Sequence, residues 1–243
     1  MKQKSQLLIK SFILIILIIL CLSFANSMEG VWHYVFYHII YCLGISICVP
    51  IFLFKREENN NLSQLGIKKL RIIDYIIIIG FVTFSIGGQL TNVKLENIEW
   101  EVLPLSILPL ILTTFSEEFF FRGFLQTRFA KMFGAIPAII LSGLFFSLYH
   151  LGYPRFRSVQ WIVTLFFVGI MFALSYALSN YNLAVAYFVN FPNAYFTYLL
   201  NSQDFPRLNF DKIASLVAAL IIFLIAYIFY RSFRNKKTIS EKY

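Results

Sequence analysis

The sequence predicts an all-α bundle of about eight transmembrane helices with both termini in the cytoplasm. Three observations carry that expectation. The chain is 59% hydrophobic and 14% charged, whereas soluble domains average roughly 45–50% apolar and 25% charged. Apolar runs near the length that a bilayer demands recur along all 243 residues. Finally, the lysines and arginines sort to one side of those runs.

A spanning helix needs about 20 apolar residues because the hydrocarbon core is about 30 Å thick. The first run, Phe12–Ala25, is short and follows Lys2, Lys4 and Lys10. It fits a retained first span, or a cleavable signal segment with "SFA" before Asn26. The second, Val31–Phe54, opens with "VWHYVFYHIIY", where His33 and His38 among Trp32, Tyr34, Tyr37 and Tyr41 form an interfacial aromatic belt without assigned chemistry. "REENNNLSQLGIKKLR", Arg56–Arg71, is expected as a solvated cytoplasmic loop before the third run, Ile72–Leu90. "NVKLENIEWE", Asn92–Glu101, is expected as an outer loop before the fourth, Leu103–Leu125.

"MFGAIP", Met132–Pro137, then reads as a turn: glycine stops one helix and proline sits in the first turn of the next. The fifth to eighth runs are Ile136–Leu151, Trp161–Leu178, Leu183–Leu200 and Ile213–Tyr230. With the N-terminus inside, basic residues gather on the inner side at 2–10, 55–71, 122–131 and 231–242. Only Lys94, Arg155, Arg157, Arg207 and Lys212 fall outside. Topology and attraction to anionic lipid heads therefore account for the net charge of +9, and no nucleic-acid partner is expected. Cys21, Cys42 and Cys48 lack metal or disulfide spacing and read as small buried hydrophobes. One integral membrane domain, 1–243, is expected.

The chemistry concentrates in "TTFSEEFFFRGFLQTRF", Thr113–Phe129. A carboxylate at a helix centre costs about 2.5–3.5 kcal/mol on insertion scales, so Glu117 and Glu118 must find partners. Glu118 and Arg122 stand at i and i+4 with the acid first, the favoured order for a helical ion pair. Glu117 points about 100° away around the axis and needs a group from another helix. "LFFSLYHLGY", Leu144–Tyr153, places Phe146 and His150 on one face of the fifth run. Glu117 lies as far before the Phe133–Gly134 junction as His150 lies after it. An antiparallel hairpin therefore brings both to one level, roughly 25 Å from the turn. Asn190 in "NLAVAYFVNFPNAYF" lies at a comparable depth, with Pro192 and Asn193 following. Structural ion-pair packing of the same residues is the competing interpretation, and a proton-coupled transporter is a third, although no inverted repeat is evident.

"EEFFFRG" followed by "FSLYH" resembles the CPBP family, also called Abi, of CAAX proteases and bacteriocin-processing enzymes. Glu117, Glu118 and Arg122 match EExxxR, followed by Gly123, and Phe146 and His150 match FxxxH. The resemblance covers roughly Leu103 to Phe196, a core of 103–196. It implies an intramembrane endopeptidase acting on a peptide or membrane-protein substrate in CAAX-type, bacteriocin or leader-peptide processing, or in self-immunity. By that resemblance Glu117 and His150 activate water, Arg122 keeps Glu118 ionised, and Phe146 packs the site. The family's late histidine and asparagine, which hold the oxyanion, correspond here to Asn190 and Ala194, with Asn193 one residue off as a substrate-binding or packing group. Asn190 can serve as an oxyanion donor in the histidine's place.

No cofactor is assigned. A divalent metal such as zinc would take Glu117 and His150, but catalytic zinc normally has three protein ligands and the third is missing. The other class the residues allow is a non-catalytic membrane scaffold, immunity or regulatory protein, since no histidine follows His150. The composition fits an integral membrane protein, and the resemblance implies the bacterial plasma membrane. Assembly into a membrane-protein complex is left open.

Overall fold

Apolar side chains line the inner faces of the helices, and the few buried polar groups gather where the motif helix meets its neighbours. The structure, a computed structural model, describes residues 2–57, 65–90 and 103–199. Every described residue lies in one compact unit. Among the described residues all regular structure is helical. Helix α1 (Lys2–Ala25) is followed by α2 (Gly30–Tyr34), which runs through a π-helical stretch (Val35–Cys48) into α3 (Val49–Glu57). After α4 (Ile72–Leu90), α5 (Leu103–Glu118) continues through a second π stretch (Phe119–Gln126) into α6 (Thr127–Phe133). Then come α7 (Ala135–Tyr149), 3-10 turns at His150–Gly152 and Pro154–Phe156, α8 (Val159–Leu178) and α9 (Leu183–Leu199).

Ser5–Ala25, Gly30–Leu53, Ile72–Leu90, Ala135–Gly152 and Val159–Leu178 are long and apolar enough to cross a membrane. They coincide with the first, second, third, fifth and sixth predicted runs. The fourth run lies within the continuous α5–π–α6 helix that carries the charged motif, and the seventh is α9, of 17 residues. The eighth run and the Asn92–Glu101 loop lie outside the described residues.

Helix α1 is a packed member of the bundle. Its stripe Ile15, Ile18, Leu22 and Ala25 is buried, Phe12 meets Phe145 of α7 at 4.9 Å, and Leu22 abuts Gly152. The predicted turn is Gly134 itself, whose φ of 89° lies in the left-handed region that glycine tolerates without cost. It folds α7 back along α6.

The crossing of α7 and α8 depends on small residues, as helix contacts within lipid generally do. A Cβ on Gly143 would lie 2.7 Å from Ile170 Cγ1 and 3.0 Å from the Ile170 amide nitrogen, and one on Gly169 would lie 3.0 Å from Gly143 Cα. Gly143→Ala is therefore expected to destabilise the protein by about 1–3 kcal/mol through overpacking. Thermal unfolding in detergent would register this as a lowered midpoint, and an unchanged midpoint would refute the close approach.

One expectation needs correction. The end of the Arg56–Arg71 segment is not a solvated loop. Leu65 is fully buried among Phe119, Tyr176, Leu183 and Ala186, because the motif helix presents Gly123 at that point. A Cβ on Gly123 would come within 2.9 Å of the Leu65 carbonyl oxygen. The Gly66 carbonyl accepts the Leu183 amide (2.7 Å), and Lys68 Nζ donates to the Asn180 carbonyl (2.6 Å). Asp74, buried in the first turn of α4, accepts from the Arg71 amide and Nη2 (both 2.8 Å) and from Asn182 Nδ2 (3.3 Å). A carboxylate there also complements the positive end of the helix dipole. Segment 65–71 is thereby tied to the α8–α9 turn.

Candidate active site

Helix α5 delivers Glu117 and Glu118 at its last turn, and the π stretch carries Arg122 next to them. Such π segments within α-helices often mark functional positions. Arg122 Nη1 lies 3.2 Å from Glu118 Oε1, an ion pair set by proximity without hydrogen-bond alignment. Both side chains are fully excluded from solvent. The guanidinium also donates through Nη2 to the Gly169 carbonyl (2.9 Å) and lies over the Phe146 ring at 4.6 Å and the Phe172 ring at 5.3 Å. One turn on, Gln126 donates to the Ala173 carbonyl (2.8 Å). The motif helix is thus anchored to successive carbonyls of α8.

Glu117 takes its partners from two other helices. The Tyr149 hydroxyl of α7 donates to Oε1, and Asn190 Nδ2 of α9 donates to Oε2 at 3.1 Å. The same Asn190 nitrogen donates to Glu118 Oε1 at 2.8 Å. Asn190 therefore straddles the two carboxylates and has both its N–H groups engaged. Both carboxylates are buried, Glu118 completely and Glu117 with 8% exposure.

His150 is not hydrogen-bonded to Glu117, which corrects the direct pairing expected from the hairpin. Its Nδ1 bonds to the Phe146 carbonyl at 2.8 Å. A carbonyl can only accept, so Nδ1 carries the proton and the neutral ring presents Nε2 as its basic nitrogen. The ring lies against Tyr149 with centroids 4.1 Å apart, so Tyr149 touches both groups. The reason is local: α7 ends at Tyr149 and His150 opens a 3-10 turn, whose three residues per turn alter the direction of the side chain. Equal arc lengths fix level along a hairpin but not azimuth.

Phe146 packs against Phe121, Tyr149, His150 and Phe172. Asn193 stands apart from the carboxylates, about 4.5 Å further along α9 than Asn190 and about 60° around it, facing α4. Its Oδ1 accepts from Ser85 and from Gln89 Nε2 (2.8 Å for the latter).

Sequence reasoning missed Tyr149. A buried tyrosine hydroxyl seeks a partner, and a tyrosine beside His150 in an apolar run was the available signal. The aromatic-belt reading also needs correction in part. Trp32 and Tyr34 are exposed, but Tyr41 is fully buried and Tyr37 shares a 2.8 Å hydrogen bond with Tyr153.

A resident zinc would need three convergent protein donors. Among the described residues no three of His, Cys, Asp and Glu converge in that way, so these donors do not fit one and no step is routed through a metal.

No curated protein and no solved structure matches the chain significantly. Residues 99–196 match the family model described as Type II CAAX prenyl endopeptidase Rce1-like. That segment spans the motif helix, the α6–α7 hairpin, α8 and most of α9, and so contains every side chain among the described residues that bonds to Glu117 and Glu118. Over residues 99–196 the chain is thus similar to CAAX-protease-like membrane proteins, in keeping with the resemblance to the CPBP (Abi) family.

Proposed function

We propose that this protein is an intramembrane endopeptidase in which Glu117 is the general base. The observation that carries the reading is the division of labour between the two glutamates. Glu118 is paired with Arg122, whereas Glu117 has no cationic partner in contact among the described residues and is held by two neutral donors from separate helices. Neutral donors orient a carboxylate without contributing the full positive charge that would hold it back from accepting a proton. Glu117 takes a proton from water, the resulting hydroxide adds to the peptide carbonyl carbon, and the C–N bond breaks as that proton passes to the leaving amine. His150, through Nε2, orients the water. Phe146 excludes bulk solvent. Asn190, which the resemblance assigned to the oxyanion, acts here as the clamp on both carboxylates.

Tyr149 is a positioning residue in this scheme. Tyr149→Phe is expected to lower kcat about tenfold with little change in KM, the loss of one hydrogen bond to a charged group being about 1.5–3 kcal/mol at most. A change confined to KM would place Tyr149 in substrate binding instead.

Eight spans with both termini cytoplasmic, in a bacterial plasma membrane, complete the proposal on the strength of the positive-inside bias. The family match over residues 99–196 supports a peptide or membrane-protein substrate, either a CAAX-type prenylated C-terminus or a leader or bacteriocin precursor. The test compares membrane-associated peptides released in cells expressing the wild type or Glu117→Gln. Products that require Glu117 support the enzyme, and identical peptide sets reject it.

One observation favours a second reading. Asn190 stands where the family places its late histidine, and its amide is fully engaged. A non-catalytic scaffold, immunity or regulatory protein would keep this polar cluster for packing alone.

A further inference from the structure

Around Glu117 lies a cluster of tyrosines, Tyr37 and Tyr41 of the first π stretch with Tyr149 at the end of α7 and Tyr153 just after the 3-10 turn that follows it. The hydroxyls of three of them are engaged. Tyr149 donates to Glu117, and Tyr37 and Tyr153 bond to each other at 2.8 Å. Tyr41 is the exception. It is fully buried, its ring runs nearly parallel to that of Tyr149 (22°, centroids 6.4 Å apart), and its hydroxyl is aligned with no acceptor among the described residues. The hydroxyl nevertheless lies within hydrogen-bonding reach of the Tyr149 hydroxyl, out of alignment with it, and within electrostatic reach of the Glu117 carboxylate.

A buried hydroxyl without a partner costs about 1–3 kcal/mol. A phenylalanine would fill the same space without that cost, so the hydroxyl calls for an explanation. Hydrolysis at Glu117 needs a donor for the carbonyl oxygen that becomes negative when hydroxide adds. The late histidine that would supply it is absent, and Asn190 has both amide hydrogens committed.

We infer that Tyr41 is a catalytic residue whose hydroxyl donates a hydrogen bond to the tetrahedral oxyanion formed beside Glu117. This rests on the endopeptidase reading above. The Tyr41 proton stays on its oxygen throughout; the hydroxyl stabilises charge and transfers nothing. Tyrosine hydroxyls are suited to this role because a neutral, preorganised donor in a dry site gains strength as charge develops on the acceptor.

The experiment uses the full chain in proteoliposomes with a farnesylated CAAX-type peptide, internally quenched, as probe. Wild type, Tyr41→Phe and Glu117→Gln are compared for kcat, KM and thermal midpoint. The expected result is a kcat lower by about 10²–10³-fold in Tyr41→Phe, the scale of losing one oxyanion donor, with KM within about threefold and a midpoint equal to or above that of wild type. A structural hydroxyl would give the opposite pattern, a lowered midpoint with kcat retained, and that overturns the assignment. Tyr41→Phe turnover within twofold of wild type, with Glu117→Gln inactive, overturns it while leaving the endopeptidase intact. A wild type indistinguishable from Glu117→Gln overturns both.

Discussion

Glu117→Gln is expected to abolish measurable peptide hydrolysis, lowering kcat by about 10²–10⁴-fold, the usual contribution of a positioned general base. The substitution is close to isosteric and leaves the Glu118–Arg122 pair untouched. Glutamine keeps one oxygen able to accept from Asn190 or Tyr149, and the Tyr149 hydroxyl can rotate to accept from the new amide. The thermal midpoint should accordingly stay near that of the wild type while turnover disappears. Folded Glu117→Gln protein with wild-type turnover on the quenched peptide would remove Glu117 from the chemistry, and the packing interpretation of the cluster would stand.

The largest expected effect on stability belongs to Arg122. Arg122→Ala strips the ion-pair partner from a carboxylate with no solvent exposure and removes the donor to the Gly169 carbonyl. It also empties the space beside the Phe146 and Phe172 rings. Breaking a buried pair from one side costs about 3–5 kcal/mol, because the remaining charge is left uncompensated. The double variant Glu118→Ala/Arg122→Ala should be less destabilised than the sum of the single variants, since it leaves no orphaned charge. Unfolding midpoints of the four proteins in one detergent complete the cycle. Strict additivity would show that Glu118 and Arg122 do not interact.

Much of this was legible before any coordinates. The Glu118–Arg122 pair follows from spacing on one helix, and the Gly134 turn from a glycine placed before a proline-bearing first turn. Local geometry alone fixes both. What escaped the sequence depends on rotation about helix axes and on backbone departures from ideal α geometry. Tyr149 rather than His150 reaches Glu117 because α7 ends one residue before the histidine. Asn193 turns to Ser85 and Gln89 because it stands about 60° around α9 and about 4.5 Å further along it than Asn190. Leu65 is buried because Gly123 leaves room for a carbonyl, a fit between segments distant in sequence that composition does not encode.

The bond from the Leu183 amide to the Gly66 carbonyl has a wider meaning. It meets α9 at its first residue, and Asn190 lies seven residues later, about 10 Å along the axis. A carbonyl in a connecting segment thus acts as the datum from which the height of the amide between the two glutamates is measured. A shift of that peptide unit along the membrane normal would move the amide out of step with both acids, so interior chemistry would answer to a contact two helical turns away.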